Sequence, residues 1–141
     1  MDLVEKVIPA IEDDLAIKYF GELQKECFAF GLTSLHDCGI SEHTLSLLEK
    51  SQKQKVLKMN VFALLEDNPN YYEKWIKKGR YTNEKITVGG FKVYADGALG
   101  SRGACLLSDY HDKPNWRGFL LSEKSHFENL SKKLGKSGLQ M

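Results

Sequence analysis

Lys92 and Asp96 are the side chains best placed to do chemistry together, because Phe91-Lys-Val-Tyr-Ala-Asp-Gly-Ala-Leu-Gly-Ser-Arg-Gly-Ala104 reads as a strand running into a glycine-rich loop. A strand's two-residue period sets Lys92, Tyr94 and Asp96 on one face and Phe91, Val93 and Ala95 on the other. If the polar face looks into an enclosed lumen, Lys92 loses hydration and a neutral amine becomes accessible, which can add to carbon dioxide to give a carbamate. A carbamate offers two oxygens able to bridge hard or borderline cations, so Lys92 is a candidate metal ligand. The competing reading is a buried ion pair between Lys92 and Asp96 or another acid, and the alternation alone favours that pair.

The loop after the strand supplies the other candidates. Gly97, Gly100 and Gly103 permit tight turning and close approach to a ligand, while Ser101 and Arg102 could donate to an anion. The spacing matches neither the dinucleotide fingerprint nor the phosphate-binding Gly-Lys-Ser/Thr loop, so a plain connecting loop is an equal alternative. His36 and Asp37 are expected to end an earlier strand at the mouth where barrel enzymes keep their sites. There they either line a pocket or tie the strand end to its loop. His43 and His126 fall on expected helices and His111 in a loop, where solvated surface roles are expected. Cys38 and Cys105 have no paired base and read as packed thiols.

Alternating elements must position these groups. Leu15, Tyr19, Phe20, Leu23, Cys27 and Phe30 recur at helical steps between Ile11 and Phe30, behind Glu12, Asp13 and Asp14 and ahead of Gly31. A strand is expected from Leu32 to Asp37, a Ser41-capped helix to about Lys55, a strand from Val56 to Leu65, and a helix from Asn68-Pro69 to Gly79. The third strand runs from Ile86 to Ala95, a long loop to about Gly118, a Ser122-capped helix follows, and another strand begins after Gly138. Such alternation implies parallel strands joined by right-handed crossovers, an α/β sheet or barrel segment.

Composition narrows the classes. The 141 residues are too few for a complete eight-stranded β/α barrel of roughly 250 residues. Twenty basic and nineteen acidic side chains, interspersed, mark no face for nucleic acid. Cys27, Cys38 and Cys105 form neither a disulfide framework nor a zinc ribbon, and no apolar run reaches membrane-spanning length, so a cytoplasmic location is expected.

The Lys92–Ala104 run resembles the hallmark of the amidohydrolase superfamily branch that includes N-substituted formamide deformylases (amidohydrolase family 3). Gly31-Leu-Thr-Ser-Leu-His-Asp-Cys-Gly39 is similar to that branch's second barrel strand. Tyr110 to Gly118 is similar to its loop before Phe119-Leu-Leu121, and Gly138-Leu-Gln140 to the start of its fifth strand. The resemblance implies a partial (β/α)8 TIM-type barrel, with residues 1–141 one incomplete catalytic-barrel segment of about three βα units, strands two to four and the start of five.

It also implies a hydrolase that cleaves amide or related C–N bonds of a small-molecule substrate with a hydroxide activated by one or two divalent metals, often zinc. By alignment Lys92 is the bridging ligand, which reverses the preference for an ion pair. Asp96, Gly97, Gly100, Ser101, Arg102, His36 and Asp37 become substrate-pocket candidates. The family's His-x-His pair is absent from this sequence, so no tight metal binding and no activity are expected of the chain alone. The other readings are a small α/β anion-binding module using the glycine loop and Arg102, or a structural fragment that self-associates through exposed barrel edges.

Overall fold

The structure, a computed structural model, describes residues 6–141. The first helix, α1 (Asp13–Ala29), starts with Asp13 and Asp14 against the positive end of its dipole and stops before Gly31, whose φ of +77° breaks the helix. Strand β1 (Ser34–Ile40) leads to α2 (Glu42–Lys53), where Ser41 Oγ accepts a hydrogen bond from the Thr44 amide at 3.0 Å. After β2 (Asn60–Glu66) comes α3 (Pro69–Lys78), with Asn68 capping and proline in the first turn. The remaining elements are β3 (Tyr81–Asn83), β4 (Ile86–Lys92), a single 3-10 turn (Leu99–Ser101) and α4 (Lys124–Lys136).

The strands form one sheet in the order β1-β2-β4-β3, with β1, β2 and β4 parallel. β3 is a short antiparallel addition that folds back on the first half of β4. Three residues are too few to show a period in the sequence, so this strand is visible only in the structure. Gln140 then takes the same edge of β4 further along: its amide donates to Gly89 O at 2.9 Å and its carbonyl accepts from the Phe91 amide at 3.0 Å. This parallel bridge lies where the sequence places the start of a further strand.

One face of the sheet is packed. Ile40, Val61, Ala63, Leu65, Ile86, Val88 and Phe91 join Leu45 and Leu48 of α2, Trp75 of α3 and Leu130 and Leu134 of α4 in a single core. Advancing parallel strands with right-handed crossovers put the helices on one side. The other face, carrying His36, Cys38, Phe62, Leu64, Thr87 and Lys92, has no helix layer among the described residues, and their sheet is not closed. The result is a mixed α/β fold with an open sheet.

Several boundaries differ from the sequence reading for identifiable reasons. β1 does not stop at Asp37, because Gly39 adopts a φ of +108° and absorbs a bulge between Cys38 and Ile40, so the strand continues. β2 starts later than Val56 because the Gln24 side chain holds the preceding segment. Its Nε2 donates to Val56 O at 2.7 Å and its Oε1 accepts from the Lys58 and Met59 amides at 2.7 and 3.2 Å. Satisfying those groups rotates α1 so that Ile17 and Gln24 are buried while Leu15, Tyr19, Leu23 and Phe30 stay exposed. α4 begins at Lys124 with Glu123 as its cap, so Ser122 is not the capping residue.

Candidate functional site at the end of the fourth strand

Lys92 is the last residue of β4 and follows Phe91, which is fully buried against the helices, so its own side chain is on the uncovered face. It pairs in register with Glu66 at the end of β2, and its stem passes the bulge at Gly39, where a Cβ would lie 3.8 Å from Lys92 Cγ. The ammonium sits 4.0 Å from the centre of the Tyr94 ring, a cation–π contact, and the residue is half-buried. Among the described residues no ion pair joins Lys92 to a carboxylate, so the Lys92–Asp96 pair weighed from the alternation is not formed.

Asp96 instead serves the loop: its Oδ2 accepts from the Cys105 amide at 2.8 Å. The loop closes on itself around this bond. Gly97 N donates to Gly103 O at 3.1 Å, and the two glycines approach so closely that a Cβ on Gly97 would lie 3.0 Å from Gly103 Cα. Gly100 meets nothing within 4 Å where its Cβ would be. Ser101 Oγ donates back to Ala98 O at 3.1 Å.

Arg102 is committed to Asp112, its Nε and a terminal nitrogen both on Oδ2 at 3.0 and 2.7 Å, while its carbonyl accepts from Trp116 Nε1 at 2.7 Å. The hydrogen bond and charge of that guanidinium hold the Asp112 carboxyl below the usual carboxylate range, and Asp112 in turn raises Arg102. Asp109 is lowered in the same way, first by the Arg117 hydrogen bond at 2.7 Å and then by the Asn115 amide. The anion-binding reading therefore meets an arginine that already has its counter-ion.

His36 and Asp37 are not at this mouth. Because β1 runs on to Ile40, His36 is its third residue, stacked on Phe62 with ring centres 4.8 Å apart, in a shallow polar hollow with Ser34, Asn60 and Thr87 near the strands' starts. Asp37 shares the face of Leu35 and borders the crevice between α1 and the sheet, beside Phe20 and Leu23. Lys92, Tyr94, Glu66 and Gly39 are what the fold brings together, and the sequence reading passed over Glu66 and Gly39. Glu66 was traceable only through the register of β2 on β4, which a single chain does not display. His43 is exposed, 3.4 Å from Asp13, and His111 is exposed, whereas His126 is half-buried and lines a groove between α3 and α4.

Among the described residues no three His, Cys, Asp or Glu side chains converge as a metal site. One lysine beside a tyrosine ring does not by itself fix a metal's coordination geometry, and no catalytic step follows from these residues alone. Among the described residues no helix is long and apolar enough to cross a membrane.

No protein-family profile matches the sequence. The chain is 23% identical over 145 aligned positions to the putative amidohydrolase YtcJ of Bacillus subtilis, covering 99% of this chain and 27% of that protein. It is 28% identical over 95 positions to the protein LONG AFTER FAR-RED 3 of Arabidopsis thaliana, covering 67% of this chain and 16% of that one. Its fold superposes on crystal structures of uncharacterized metal-dependent hydrolases from Pyrococcus furiosus and Pyrococcus horikoshii OT3. The TM-scores are 0.81 and 0.79 at 26% and 27% identity, over 98% and 92% of this chain and 29% and 27% of theirs. The chain thus spans less than a third of the length of the relatives it matches, and what it has is the fold of the metal-dependent amidohydrolase-like superfamily, over part of that fold's length.

Proposed function

We propose that these residues are one incomplete segment of a hydrolase barrel, holding strands two to four and the start of five, whose complete form cleaves amide-like C–N bonds of a small molecule with a metal-activated water. The observation that carries this reading is Lys92, standing at the end of a central parallel strand on the face that a closed barrel would enclose. Enclosure would desolvate the amine and favour its neutral form. Attack on carbon dioxide would then form an N–C bond, release a proton and leave a carboxylate-like ligand. The remaining ligands would come from strands other than β1, β2 and β4, with zinc the metal we favour and the formamide-deformylase branch the nearest chemistry. Three free thiols suit a reducing compartment, and we assign the protein to the cytoplasm on that basis. Alone, the 141-residue chain should be inactive.

The test is a chimera in which this chain replaces the matching segment of the Pyrococcus furiosus hydrolase. Metal content and turnover of a panel of N-formyl and N-acyl amines are measured with Lys92 and with Lys92→Met. Metal lost in the variant while the thermal melt is unchanged supports the reading. Equal metal in both folded chimeras overturns it. Self-association of the isolated chain through its uncovered surfaces is a second proposal, favoured by the exposed apolar residues of α1.

A further inference from the structure

We propose that the chain binds a second copy of itself head to tail, the exposed face of α1 entering the groove between α3 and α4 of its neighbour. This deepens the self-association reading above and does not depend on the hydrolase reading. Leu15, Tyr19 and Leu23 recur every fourth residue on α1 and are 40%, 49% and 54% exposed. At about 100° per residue, Glu22 and Glu26 fall on the same arc. The face is thus an apolar stripe with acids beside it, the pattern of a helix that docks in a groove.

The groove is complementary. It has a volume of about 780 Å³, with an apolar floor of Tyr72, Ile76 and Leu130 and a rim that carries Lys77 and Lys133 against one acid, Glu73, with His126 beside them. Tyr72 is fixed by edge-on contact with Phe91 at 5.0 Å, so the floor is set by the core. Neither lysine is paired with a carboxylate among the described residues, and on α1 Glu26 is unpaired while Glu22 meets only Lys18, at 3.8 Å. Glu26 on the stripe and the two groove lysines therefore offer unspent charge of opposite sign around apolar surface, with Glu22 shared with Lys18, and such charge steers and registers association. Because stripe and groove are different patches, the contact is heterologous and builds a ring or an open chain of copies.

Sedimentation velocity of the 141-residue chain over a concentration series tests this. The expected result is reversible association that weakens with added salt. Lys77→Glu with Lys133→Glu, or Glu22→Lys with Glu26→Lys, should each weaken it by about tenfold or more, and mixing the two charge-reversed variants should restore mixed association. Far-UV circular dichroism of each variant checks the fold, and Tyr19→Asp gives an independent break of the stripe. A monomer at every concentration, or association indifferent to all three changes, overturns the proposal and leaves strand-edge pairing or another occupant of the groove. Chimera metal content reads the hydrolase proposal separately.

Discussion

A Cβ on Gly90 would lie 1.9 Å from the carbonyl oxygen of Gln140, so the close approach of these two backbones requires glycine. That approach is what lets Gln140 bridge Gly89 and Phe91 and occupy the edge of β4 that β3 leaves free. Gly90→Ala is expected to cost about 1–3 kcal/mol through forced displacement of backbone rather than of a flexible side chain. Hydrogen exchange should quicken at the Gln140 and Phe91 amides before it changes in β1, and unchanged protection there would refute the account.

Gln24 spends its Oε1 and one Nε2 hydrogen bond on the segment before β2 while only 7% exposed. Gln24→Ala leaves Val56 O and the Lys58 and Met59 amides without that partner, with an expected loss of about 1–3 kcal/mol. Urea unfolding should show a lower midpoint with an unchanged slope.

Glu42 Oε1 accepts from Lys74 Nζ at 2.7 Å and Trp75 Nε1 at 2.6 Å, and the Lys74 bond foremost holds its carboxyl below the usual range. A lowered folded-state value means the charge stabilises the fold above the ordinary glutamate value of about 4.3, and this is lost as pH falls through the lowered value. Glu42→Gln should therefore cost about 1 kcal/mol at pH 7 and almost nothing once Glu42 itself is protonated. Denaturation midpoints of both proteins across pH 2–7 should converge only at the acid end.

Arg102→Ala should open the loop after β4 rather than abolish an anion site, because Asp112 already takes the guanidinium. Limited proteolysis between Leu99 and Arg117 should accelerate while phosphate affinity, measured by calorimetry, stays the same. Phosphate binding that disappears in the variant would favour the anion-binding module.

Periodicity, proline and caps made α1, α2, α3 and the parallel strands legible, since Ser41, Asn68-Pro69 and Gly79 act on neighbours a few residues away. The α/β class followed from the order of elements. Lys92 could be assigned opposite Phe91 from alternation alone, because the bulge that shifts the register on β2 ends before this pair.

What only the tertiary structure decided rests on groups far apart in the chain. The rotation of α1 follows from the buried Gln24 amide, which must meet backbone over 30 residues away, so that of the periodic apolar set Phe20 and Cys27 pack against the core while Leu15, Tyr19, Leu23 and Phe30 are exposed. The fate of Asp96 and Arg102 was settled by Cys105 and Asp112, partners that a folded loop supplies and a linear pattern does not reveal. A residue's own type and its near neighbours set its local geometry, whereas its hydrogen-bond partner and its burial exist only once distant segments have met.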